Sequence, residues 1–306
     1  MRDTNRPGAV LFVLAGALLS APPGGAAPPG PDEGPAAAPA ARFWESIDVH
    51  GFLSASWSHG FNRPASRTNR LRAFDEEDGS IRLDVVQLAV GKEAATPGEA
   101  GFRVDAIAGS ALPHVTAASG LFRDPATGEA EDVDLLQAFV SWVAPVGSGL
   151  KVDAGKFVTP VGYEAIEGYE AWNDHATHSF LFTASEPSTH TGLRAAYAFS
   201  DALSATVLLV NGWDDARDRN RGKTVGAVVT FTPEPQWLLS ASLLAGPERE
   251  DSEADVRTHL GLVVQLKPDG PLGGGLSAER GREEGLAEDG GAVSLWGVAG
   301  YVRWAA

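Results

Sequence analysis

"SIDVHGFLSASWS", Ser46 to Ser58, sets Ile47, Val49, Gly51, Leu53, Ala55 and Trp57 on one face and Asp48, His50, Ser54, Ser56 and Ser58 on the other. Only Phe52 breaks the polar face. A period of two is that of an extended strand. The pattern returns in "GFRVDAIAG", where Arg103 and Asp105 oppose Phe102, Val104 and Ala106. In "THTGLRAAYAF", His190, Gly192 and Arg194 oppose Thr191, Leu193, Ala195 and Tyr197. "TVGAVVTFT" sets Val225, Ala227, Val229 and Phe231 against Thr224, Gly226 and Thr230.

Such segments predict about twelve strands, near 45–58, 80–92, 100–110, 133–144, 149–158, 188–199, 202–213, 222–233, 236–245, 257–267, 272–280 and 291–304. The connections alternate in length. Those at 59–79, 111–132, 159–187, 214–221, 246–256 and 281–290 are long, whereas "EAATPGE", "PVGS", "SDA", "PEP" and "PDGP" are short and rich in turn residues. Tight turns at one end and loops at the other predict an all-β, antiparallel up-and-down barrel. A transmembrane barrel has this layout and bonds every backbone amide internally.

The polar faces choose between a soluble and a membrane barrel. They carry Arg103, Asp105, Lys151, Asp153 and Arg194, and twelve strands enclose more space than side chains alone fill. A wet lumen and an apolar exterior are therefore expected. Trp57, Trp142, Trp213, Trp237, Trp296, Tyr301 and Trp304 are candidates for aromatic girdles at the membrane boundaries.

Residues 1–27 have the layout of a signal peptide: Arg2 and Arg6, the apolar run "AVLFVLAGALLSA", then small residues to Ala27. Residues 28–42, containing "PPGPDEGPAAAPAA", read as an extended linker, and 43–306 as the barrel. No stretch reaches the about eighteen apolar residues of a helical span. With no cysteine, stability must come from a large core or a closed hydrogen-bonded shell. A net charge of −16 argues against nucleic acid as partner.

"DAGKFVTPVGYEAIEG", "WN", "SFLF", "THTGLRAAYAFSDALSATVLLVNGWDD" and "NRGKTVGAVVTFTP" together resemble the OmpL-like outer-membrane β-barrel porin group, putative β-barrel porin-2. The likeness runs from Phe43 to Trp304 and is densest from Gly155 to Pro233. It implies a channel for passive diffusion of small hydrophilic solutes in the outer membrane of Gram-negative-type bacteria, with no enzymatic activity and no cofactor. The implied partners are the outer-membrane bilayer, the solutes and the outer-membrane assembly machinery; a homotrimer is left open. The chain stops at "YVRWAA" rather than at a terminal aromatic. That departure allows either a barrel of about twelve strands or an incomplete larger one, and a C-terminally truncated chain is the expectation.

The third long loop, Thr159 to Pro187, occupies the place of a constriction loop. It carries Glu164, Glu167, Glu170 and Asp174, flanked by Lys151, Lys156 and Arg194 on the adjoining strands. With Arg103, Asp105 and His190 on polar strand faces, these are the candidate pore-lining residues. Acids on the loop opposite cations on the wall would set a transverse field; the competing expectation is a loop folded outward or over the mouth.

Other motifs carry less. Asp174, His175, His178 and His190 have a spacing at which imidazoles can ligate zinc, but a helical turn would be needed to gather them and no supporting shell is signalled, so ordinary loop polarity is the expectation. Asp214, Asp215, Asp218 and Asn220 lack calcium-loop spacing. "NRGKTVG" has Arg217 where a phosphate-binding loop needs glycine. Glu283 and Glu284 read as a loop tip, and no Gly-x-Ser-x-Gly elbow exists. The rival functions are a barrel lipid hydrolase and an adhesin or binding module that conducts nothing.

Overall fold

The computed structural model describes residues 9–15, 43–70, 73–116, 120–124, 126–166, 177–250 and 252–304. Its strands are β1 (Ala9–Ala15), β2 (Asp48–Gly60), β3 (Ile81–Lys92), β4 (Ala100–Ala108), β5 (Val133–Ala144), β6 (Leu150–Val158) and β7 (Thr189–Ala198). Then come β8 (Leu203–Val210), β9 (Thr224–Phe231), β10 (Trp237–Pro247), β11 (Val256–Leu266), β12 (Leu272–Glu283) and β13 (Val293–Trp304). Two short helices, α1 (Leu112–Thr116) and α2 (Phe180–Ser185), lie in the second and third long loops. Each strand pairs antiparallel with the next, giving one sheet in sequence order.

β2 to β13 are the twelve strands expected from the alternation. β1 was expected only as the apolar core of a signal peptide. A short apolar run can extend beside an unpaired strand edge, and Ala9 to Ala15 does so along Ser54 to Gly60. Among the described residues no ladder joins β13 to β1 or β2.

Burial on the strands is inverted relative to a water-soluble protein. On β11, Leu260, Leu262 and Val264 are exposed while His259 and Val263 are buried; on β4, Val104 is exposed while Arg103 and Asp105 are buried. Charged groups avoid burial unless they are paired, so this wall needs internal partners. It has them: Asp105 accepts from Arg103 Nη2 at 2.9 Å, Gln87 Nε2 at 3.0 Å and Gln137 Nε2 at 2.8 Å. Farther round, Asp153 accepts from Ser141 Oγ at 2.6 Å and from Arg194 Nε and Nη2 at 2.9 and 2.7 Å. This polar belt ties β3 through β7 along the inner face.

Two bulges interrupt the alternation. Ser54 pairs with Val85 and Ala55 with Leu83, leaving Asp84 unmatched; Asp105 pairs with Gln137 and Ala106 with Leu135, leaving Leu136 unmatched. An extra residue reverses the facing of the strand residues beyond it, so Val85 and Leu136 turn inward. With Ile107 they form an inner apolar patch that receives Leu112 and Val115 of α1 and its end, and Ile166 and Phe182 of the third loop. Phe52, the exception on the polar face of β2, packs against the same patch. Each such side chain contributes about 1.5–3 kcal/mol when fully buried.

Trp142, Trp237 and Trp304 are exposed at the short-turn end and Trp296 at the loop end, as a girdle requires. Trp213 and Tyr301 correct that expectation. Trp213 lies edge-on to the buried His259 with centroids 5.4 Å apart, and Tyr301 is buried on the inner face.

Candidate functional site

The third loop enters the concave side of the sheet. Val161 packs with Val228 of β9 and Leu244 of β10, while Ile166 and Phe182 reach the patch on β3 to β5. Opposite, Ser185 Oγ donates to Glu279 of β12, and Tyr301 OH of β13 donates to Glu164 Oε2 at 3.2 Å. One segment thus touches strands on both sides of the curled sheet. A Cβ at Gly297 would stand 2.5 Å from Leu181 Cδ1, so glycine admits α2 against β13.

Ser179 caps α2, its hydroxyl accepting from Phe182 N at 3.1 Å. Ser179 N in turn donates to Glu164 at 3.0 Å, and Ser179 Oγ donates to Glu164 Oε2. Glu186, just past the helix, is buried over Gly162, where φ is +93° and a Cβ would overlap its carboxyl. Burial pushes the Glu186 carboxyl well above the ordinary range, and the adjacent Glu279 and Glu164 add to the effect.

The loop base is held by His190. Gly212 O can only accept, so Nδ1 donates to it at 3.3 Å and Nε2 accepts the Thr159 hydroxyl at 3.1 Å. Asp214 accepts from Ser188 N and Thr189 N at 2.6 and 2.8 Å, tying the 211–223 loop to the exit of the third loop. Burial raises its carboxyl to about 6 against the pull of those donors.

The sequence-derived candidates separate into groups. Arg103, Asp105, Lys151 and Arg194 lie on the inner wall, and Arg103, Lys151 and Arg194 border a shared cavity near the short-turn end. Lys156 does not border that cavity: it is buried, and its ammonium donates to Leu135 O at 2.7 Å. Glu164 faces Ser179 and Tyr301 on the β13 side, while Arg103 and Arg194 pair with the wall acids Asp105 and Asp153. Glu167, Glu170, Asp174 and His175 lie outside the described residues.

His178 stacks on Phe182 with centroids 4.2 Å apart, away from the partners of His190. Asp214, Asp215, Asp218 and Asn220 each engage protein groups: Asp215 pairs with Arg219, Asp218 with Lys223, and Asn220 donates to Pro247 O. Among the described residues no group of three or more ligating side chains stands ready for a metal ion.

Of the residues that fasten the loop, Tyr163, Ser179, Ser185 and Glu279 were not singled out from the sequence, and Tyr301 was singled out only as a girdle aromatic. A signal for Tyr301 existed: Gly297, Ala299 and Tyr301 share the inner face of β13, and two small residues beside a large one leave room for an inserted segment.

A family model described as putative beta-barrel porin-2, OmpL-like, matches residues 46–306. No curated protein and no solved structure matches the chain.

Proposed function

Because this chain belongs to the putative beta-barrel porin-2, OmpL-like family, we propose that it is a non-enzymatic channel passing small hydrophilic solutes down their gradient. Family membership implies the outer membrane, and export with removal of residues 1–27 fits that location. The observation that carries the reading is the inverted wall: exposed Leu262, Val207 and Val140 suit lipid, and the paired charges Arg103 with Asp105 and Arg194 with Asp153 suit a wet interior.

Conduction by this route needs no covalent step. The third loop fills part of the lumen and would set its width, while wall charges would set which ions pass. Purified protein added to a planar lipid bilayer should give stepwise conductance increments. Insertion without increments would favour an adhesin or another non-conducting barrel.

A further inference from the structure

Beside the third loop, the inner wall encloses a cavity of about 320 Å³ near the short-turn end. Lys92 of β3, Arg103 of β4, Lys151 of β6 and Arg194 of β7 all border it. Their partners differ. Arg103 and Arg194 are held by Asp105 and Asp153, and in the second pair the arginine side chain is 20% exposed against 4% for the acid. The carboxylates sit within the wall and the guanidinium ends face the opening. Lys92 donates to Ala100 O at 2.8 Å and lies in the field of Glu99. Among the described residues no carboxylate lies within ion-pair distance of Lys151.

Buried acids behind cationic ends give the cavity a positive face preorganised by the polar belt. Asp48 and Glu93 also border it, so with Asp105 and Asp153 the four cations are balanced overall and the positive character is local to the cationic ends, which suits a monoanion better than a polyanion. Phe139 adds an apolar surface, with the Arg194 guanidinium 5.5 Å from its ring centroid. We infer that this cavity binds small organic monoanions carrying a carboxylate and an apolar body, with Lys151 supplying the unpaired charge. Its place in a permeation path rests on the pore reading above; the binding itself does not.

The test is calorimetric titration of benzoate into the full chain in detergent, with benzyl alcohol as the uncharged control. Saturable benzoate binding is expected, weakened roughly fivefold by Lys151→Gln and restored by Lys151→Arg. Absence of saturable benzoate binding, equal affinity for benzyl alcohol, or an unchanged affinity in Lys151→Gln would overturn the inference. If the variants do not fold, the benzoate and benzyl alcohol titrations of the unaltered chain decide it. Conductance separates the two claims: a chain that conducts without binding benzoate keeps the pore and loses the site, and one that binds without conducting keeps the site and loses the pore.

Discussion

The ring of Tyr163, in the third long loop, stacks on the ring of Tyr301 in β13, with centroids 3.9 Å apart and planes 5° from parallel. The Tyr301 hydroxyl also reaches Glu164, next in sequence to Tyr163. Tyr301→Ala should remove the stack and the hydrogen bond, costing about 3 kcal/mol in urea unfolding. It should also enlarge the single-channel conductance by loosening the loop. Tyr301→Phe keeps the stack and should cost about 1 kcal/mol. Equal conductance in Tyr301→Ala and the unaltered chain would count against the loop as a constriction.

Asp105 is fully buried and shared by Arg103, Gln87 and Gln137. Asp105→Ala strands a buried guanidinium and two amide groups. A loss of about 3–5 kcal/mol is expected, read from urea unfolding in vesicles. The double substitution Arg103→Met with Asp105→Ala should recover part of that loss. No recovery would mean that the belt acts through the glutamines alone.

Asp214 gives a pH dependence with a definite sign. Burial pushes its carboxyl up from the ordinary 3.8 to about 6 in the fold. Between these values the folded chain keeps a proton that the unfolded chain has released, so stability falls as pH rises through that window. The full deficit, about 3 kcal/mol, is present above the window. Asp214→Asn keeps an acceptor for Ser188 and Thr189 without the charge. Its stability advantage should grow from near zero at the acid end to that value at neutral pH; a difference independent of pH would contradict the assignment.

Leu262 is 61% exposed in the middle of β11. If that face meets lipid, Leu262→Arg should cost about 2–4 kcal/mol at the bilayer centre. A face in water would tolerate the same change within about 0.5 kcal/mol. Unfolding in lipid vesicles distinguishes the two.

The sequence makes the twelve main strands legible because apolar and polar residues alternate along them and turn residues separate them. The bulges at Asp84 and Leu136 were not legible, since one added residue leaves composition unchanged while reversing the faces beyond it. Phe52 on a polar face was the visible trace of the inner patch that the bulges help to build. The third loop could be picked out by position and length. Its fastening by Tyr301 and Glu279 depends on strands far along the chain, and local spacing holds no record of such contacts. Glu164 could be picked out by its carboxylate, whereas its partners Ser179 and Tyr301, 15 and 137 residues along the chain, could not.

The central claim is that the apolar strand faces meet lipid and the charged faces meet water. The chain has no cysteine, so single cysteines at Leu262 and Lys151 can each carry a bimane label in reconstituted vesicles. Doxyl-labelled lipids should quench the label at Leu262 and spare the one at Lys151, while acrylamide, a neutral aqueous quencher, should do the reverse. Lipid quenching at Lys151 with aqueous quenching at Leu262 would contradict the account.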